Sequence, residues 1–197
     1  MGLFTAEDAW YGGFYELALE YERGTVPGLA EGLAAVWNAD ALVGCYLNPG
    51  RDPEDQPRTE FETSLSFVGH LYGVATFSGG RKVACGTCCV REDGGADWLV
   101  FYCPMGTLGN VYPVGAFPFD VDDHELWRVE LDSWLTKLGT EVFTAAPFRL
   151  GLVGFETSGD LYASDVLTGG VPANRDYAVL VPTAGGLVVH PRRRLLA

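Results

Sequence analysis

Between residues 71 and 103 the chain carries the pattern that most restricts its fold: three strand-like runs punctuated by glycine turns. Leu71 to Phe77, Arg81 to Glu92 and Trp98 to Cys103 are separated by Ser78-Gly79-Gly80 and by Asp93-Gly94-Gly95-Ala96-Asp97. Glycine supplies the positive φ that tight hairpin turns need, so this spacing predicts a three-strand antiparallel meander. Near the C-terminus, Asp176 to Pro182 and Leu187 to His190 flank Thr183-Ala184-Gly185-Gly186 and predict a terminal hairpin. Phe148 to Glu156 is almost continuously apolar, with Arg149 and Glu156 near its ends, as expected of a central strand buried on both faces. Ala41 to Leu47 predicts one further short strand.

Helical periodicity marks three other segments. Thr5 and Asp8 resemble a capping box, and Trp10, Phe14, Leu17 and Tyr21 recur at helical spacing, predicting a first helix that ends near Gly24. Gly12 and Gly13 each cost a helix roughly 1 kcal/mol, which favours a start near Phe14. A second helix opens with Pro27 in its first turn and runs through Leu29, Leu33, Val36 and Trp37, so the two predict a helical hairpin. A third has Asp132 as its cap, an apolar stripe of Leu131, Trp134, Leu135, Leu138 and Val142, and Pro147 as its stop. Strands and helices do not alternate regularly. The fold class is therefore α+β: a mainly antiparallel sheet, meander plus C-terminal hairpin, with the N-terminal helical hairpin and one further helix packed on it.

At 197 residues the chain is expected to fold as one globular domain spanning 1–197, because a chain of this size buries roughly 70% of its unfolded surface. Its 26 acidic residues against 13 basic ones give a net charge of −13 on a body that is 48% hydrophobic. That field opposes nucleic acid phosphates and anionic membranes, and attracts basic proteins. The segment MGLFTAEDAW has no basic stretch and no apolar run before Glu7 and Asp8, so no secretory leader is expected. No apolar run approaches the roughly 20 residues that span a bilayer. Five cysteines, three of them at Cys85, Cys88 and Cys89, read as free thiols and point to the cytoplasm. Eleven arginines against two lysines suggest GC-rich coding and a bacterial source.

Four groups of residues carry possible chemistry. Cys85-Gly-Thr-Cys88 has redox or half-zinc spacing, but in a strand residues i and i+3 face opposite ways, so the pair is expected to pack as core thiols. Asp120-Val-Asp122-Asp123-His124-Glu125 gathers carboxylates and an imidazole. Asp120, Asp122 and Asp123 are candidate cation ligands there, with Asp122 and His124 as the catalytic candidates of a metal-assisted hydrolase. The segment from Asn48 to Glu60 holds three prolines with Asp52, Glu54, Asp55 and Glu60, an exposed acidic loop suited to docking a basic partner. Pro104 to Phe119 reads as a long packed loop with a short strand near Val111, in which Tyr112, Phe117 and Phe119 are pocket candidates.

No phosphate-binding glycine loop, dinucleotide pattern, nucleophile elbow or His-Glu-x-x-His helix is present in the sequence. His70 and His190 have no evident triad partners. The favoured expectation is a non-catalytic protein-binding domain, of the immunity, inhibitor or adaptor kind, that needs no cofactor and takes a basic protein as partner. The alternative is the small metal-assisted hydrolase centred on residues 120–125.

Overall fold

Every pair of neighbouring strands runs antiparallel, in a single eight-stranded sheet of order β2-β3-β4-β5-β1-β6-β7-β8. The computed structural model describes residues 2–23, 26–61, 69–91, 93, 95–115 and 125–193. The strands are β1 (Phe14–Tyr21), β2 (Leu42–Tyr46), β3 (His70–Thr76), β4 (Lys82–Arg91), β5 (Asp97–Pro104), β6 (Leu150–Phe155), β7 (Ala178–Thr183) and β8 (Gly186–His190). The helices are α1 (Val26–Trp37), α2 (Met105–Leu108), α3 (Glu125–Ala145) and α4 (Ala163–Gly169).

The predicted meander forms as β3-β4-β5, the buried run as β6, and the terminal hairpin as β7-β8. The helical hairpin does not form, because Phe14–Tyr21 is a central strand between β5 and β6. Two periods coexist in FYELALEY. The one that decides is the alternation of Tyr15, Leu17, Leu19 and Tyr21, all of which enter the core beneath the helices. Glu16, Ala18 and Glu20 fill the other face, so the strand is buried on both sides and its helical stripe is incidental. Gly12 and Gly13 hold φ of 86° and 81°, turning the chain into β1 where a helix start would have needed negative values. Thr5 caps nothing; its hydroxyl donates to Asp52 Oδ2 at 2.6 Å.

On one face Leu33 of α1 and Leu135 of α3 share a core with Leu17, Leu71, Leu99, Phe101 and Val153 of the sheet. The fit is close. Trp37 lies flat against Gly44 and Gly73, where any Cβ would enter its ring, and its Nε1 donates to Thr87 Oγ1 at 3.1 Å. On the opposite face α4 and the turns of residues 3–10 cover two smaller clusters. One contains Trp98, Val100, Leu150, Leu152 and Val179. The other contains Phe4, Tyr46, Val74 and Ala84.

Two further expectations change. The third helix begins at Glu125, seven residues before Asp132, so Asp132 lies inside it and not at its cap. The extra turns are stabilised by Trp127, which extends the stripe of Leu131, Leu135, Leu138 and Val142 onto the sheet. The segment after Pro104 begins as the single turn α2, and Val111 stands in a turn, not in a strand. Thr107 of α2 accepts the Ala84 N–H at 3.0 Å, which ties this segment to β4. Helix α4 has no counterpart in the periodicity.

Candidate functional site

A polar cluster joins β1, α3, the segment before β7 and the segment after β8. Arg128, 1% exposed, donates from Nη2 to the Asp176 carbonyl at 3.1 Å and to its carboxylate at 2.9 Å. Its Nε reaches the Tyr15 hydroxyl at 3.5 Å. Tyr15 in turn donates to Asp132 Oδ1. Arg192 donates from Nε to Asp132 Oδ2 at 3.1 Å and pairs with Asp176 Oδ1 at 3.8 Å. Two guanidiniums thus face two carboxylates, and the formal charges cancel. Burial pushes the Asp132 carboxyl above its usual range even with Tyr15 and Arg192 bonded to it. Burial, then the Asp132 charge, drives the Tyr15 phenol far up, so it remains a donor.

Asp132 and Arg192 also line a groove of about 230 Å³ between α3 and β8, with Val129, Ser133, Thr136, Ala178, Val189 and Pro191. The network fixes this groove by tying Arg192, two residues past the end of β8, to Asp132 of α3. A second, larger groove of about 590 Å³ lies between α1 and α3. Ala34, Ala35, Ala39 and Ala145 give it an apolar surface, Glu31, Asp40, Glu141 and Asn38 line it as well, and no cation is among its lining residues. Lys137 approaches Glu141 at 3.8 Å, one helical turn away.

On the face away from the helices, His70 Nδ1 lies 3.2 Å from the Tyr102 hydroxyl, and its ring stacks on Tyr72. Cys88 stands opposite His70 in the strand register. Burial, reinforced by Cys89 and Glu16, pushes its thiol up to about 12. A thiol so raised is protonated near neutrality and is a poor nucleophile. Cys85 packs into the core on the helix side, buried far from any nucleophilic range, so the two cysteines of the Cys-x-x-Cys do point to opposite faces. All five cysteines are free, and the described residues contain no group of three or more His, Cys, Asp or Glu side chains able to hold a metal ion.

The remaining sequence candidates are dispersed. Asp52 is buried: it accepts the Phe4 N–H at 2.7 Å and the Thr5 hydroxyl, and the Thr5 bond above all holds its carboxyl below the usual value. It fastens the N-terminal segment to the loop. Glu54 and Asp55 occupy an exposed 3-10 turn, and Glu60 is exposed beyond it. Tyr112 is buried under the Arg81 guanidinium, 4.5 Å away, and beside Trp127, in the helix-side core. Phe117, Phe119, Asp120, Asp122, Asp123 and His124 lie outside the described residues. Tyr15, Arg128 and Asp176 were missed as a group because they are 113 and 48 residues apart in the chain. A buried arginine within a helical stripe was the one local signal, since Arg128 sits directly beside Trp127.

Comparison of the chain with protein-family models, with curated proteins and with solved structures finds no match. Among the described residues no helix is long and apolar enough to cross a membrane.

Proposed function

We propose that this chain is a non-catalytic protein-binding domain, of the inhibitor, immunity or adaptor kind, that receives a basic partner on its acidic surface. The observation that carries this reading is the groove between α1 and α3, whose alanine surface is bordered by Glu31, Asp40 and Glu141. Small side chains let a partner's backbone approach closely, while the carboxylates attract lysine or arginine from a distance. The net charge of −13 acts in the same direction, and exposed Glu54, Asp55 and Glu60 add to the field.

The test is capture on immobilised protein from lysate of the source organism, at low and high salt, with mass spectrometry of the eluate. One basic protein retained in stoichiometric amount at low salt, and lost from the Glu31→Lys, Asp40→Lys double variant, supports the proposal. Surface substitutions of this kind are expected to change stability by less than about 0.5 kcal/mol, so an unchanged melting temperature separates lost binding from lost fold. Retention that ignores both salt and charge reversal overturns it.

A further inference from the structure

Two of the five free cysteines stand directly across from each other in the sheet. The register of β4 and β5 ends with Gly86 against Tyr102, and one step further it sets Cys85 of β4 against Cys103 of β5. Antiparallel pairs alternate between hydrogen-bonded and non-hydrogen-bonded, and the neighbouring ladders decide which kind this pair is. Met105 donates its N–H to the Gly13 carbonyl at 3.0 Å, and Cys103 with Tyr15 is two steps along the same register. Cys103 therefore turns its N–H and C=O toward β1. Cys89 donates its N–H to the Gly69 carbonyl at 3.2 Å, and Cys85 with Gly73 is four steps along that register. Cys85 therefore turns its backbone toward β3. The two cysteines form a non-hydrogen-bonded pair, in which Cα atoms lie about 4.5 Å apart and side chains come closest. That separation is within disulfide reach.

Both side chains enter the helix-side core, so they also share a face. No other pairing of the five meets these conditions. Cys88 packs on the opposite face. Cys89 is four residues from Cys85 along one strand, roughly 13 Å away, and stands against Leu99, four residues from Cys103. Cys45 is on β2, two strands from β4, a spacing of about 9–10 Å where bridging fails beyond roughly 7 Å.

In the closed sheet both thiols are fully buried, and burial, then the nearby Cys103, pushes the Cys85 thiol up. Such thiols stay protonated and shielded. The pair stands, however, at the end of its ladder. Beyond it Pro104 has no N–H to give, and Ala84 gives its own to Thr107 Oγ1 at 3.0 Å. Opening at this end breaks few bonds and restores ordinary reactivity to the thiols.

We propose that Cys85 and Cys103 are an oxidation site, joined in a disulfide across β4 and β5 by a hydroperoxide that reaches them during local opening. One thiol loses its proton and attacks the O–O bond, giving a sulfenic acid and hydroxide, which takes up that proton. The second thiol attacks the sulfenic sulfur, forming the S–S bond and releasing water. The two thiols lose two electrons and the peroxide becomes two waters. The bond closes a loop through the whole β4-β5 hairpin, and reclosure of the sheet buries it away from reductants. The inference stands apart from the acidic groove and its partner.

The test is exposure of the reduced 197-residue chain to hydrogen peroxide, followed by thiol counting under denaturing conditions and fragmentation mass spectrometry of its peptides. The count should fall by two from five, and fragmentation should join Cys85 to Cys103 within a monomeric chain. Dithiothreitol in denaturant should restore both thiols. The triple variant Cys45→Ser, Cys88→Ser, Cys89→Ser should form the same bond, whereas Cys103→Ser should form none. The wild-type map decides the question by itself where a variant fails to fold. A disulfide that maps to any other pair overturns the proposal. So does oxidation confined to sulfinic or sulfonic acids at Cys88 and Cys89, or a folded chain that keeps all five thiols in peroxide that oxidises the urea-unfolded chain.

Discussion

The two faces of β1 bury charge in different ways. Toward the helices, Tyr15 joins Asp132, Arg128, Asp176 and Arg192, a set in which cation answers carboxylate through side chains drawn from four separate segments. Toward the other face, Glu16 accepts the Ser158 N–H at 2.6 Å, and Glu20 accepts the Ala163 N–H, the first of α4, at 2.6 Å. Arg149 approaches Glu20 at 3.8 Å from a part-exposed position. The first arrangement joins distant elements, and the second organises one loop and the helix that ends it. Removing a partner should therefore have unequal costs on the two faces: a stranded buried ion on one, a loosened loop on the other.

The largest effect is expected from Arg128→Met. It removes the guanidinium bonded to Asp176 and near the Tyr15 hydroxyl, leaving two carboxylates to share Arg192 alone, and should destabilise by about 3 kcal/mol in urea denaturation. A loss below about 1 kcal/mol would mean that the network contributes little, and the contrast would fail.

Asp52→Ala comes next, at about 2 kcal/mol, since it orphans the Phe4 N–H and the Thr5 hydroxyl. Because the folded state holds the Asp52 carboxyl below its usual 3.8, its contribution is present above that value and is lost as pH falls below it. An Asp52→Ala curve that parallels wild type through this acid range would sink the assignment.

Glu16→Gln should cost least, about 1 kcal/mol or less, because the amide carbonyl can still accept the Ser158 N–H. A cost equal to that of Arg128→Met would erase the difference between the faces.

The pH dependence sharpens the same comparison. Burial raises both Glu16 and Asp132 above their usual values of 4.5 and 3.8. The folded state then binds these protons more tightly than the unfolded chain, so both groups subtract stability as pH climbs from those values through the raised ones. Glu16→Gln removes one of the two contributions. Relative to wild type, its stability should rise across that window when unfolding is measured at successive pH values.

Much of the sheet was legible in the chain. Glycine turns and alternating runs located β3, β4, β5, β7 and β8, and the unbroken apolar stretch located β6, since these signals are local. The error at Phe14–Tyr21 has a definite origin. When nearly every residue of a segment is apolar or ends up buried, helical and strand periods both find matches, and only the neighbouring strands choose between them. Glu16 and Glu20 strengthened the misreading, because two acids four apart resemble the wet face of a helix although both are buried here. Helix α4 had a faint signal: the Asp165 carboxylate accepts the Tyr162 N–H at 3.1 Å, and Gly170, at φ 74°, ends the helix. Seven residues make too short a stripe to register as a period.

By itself the sequence determined the antiparallel α+β class, the hairpin positions, the α1 stripe and the acidic field, because each follows from neighbours a few residues apart or from a sum over the whole chain. Tertiary structure alone decided that β1 is the central strand and that Asp52 turns inward. It also decided that Tyr15, Arg128, Asp132, Asp176 and Arg192 converge, and that among the described residues Thr59 covers part of the β2 edge while no strand pairs with the outer side of β8. The physical reason is common to all of these: a buried charge or an unpaired strand edge is defined by what packs against it, and those partners lie tens of residues away along the chain.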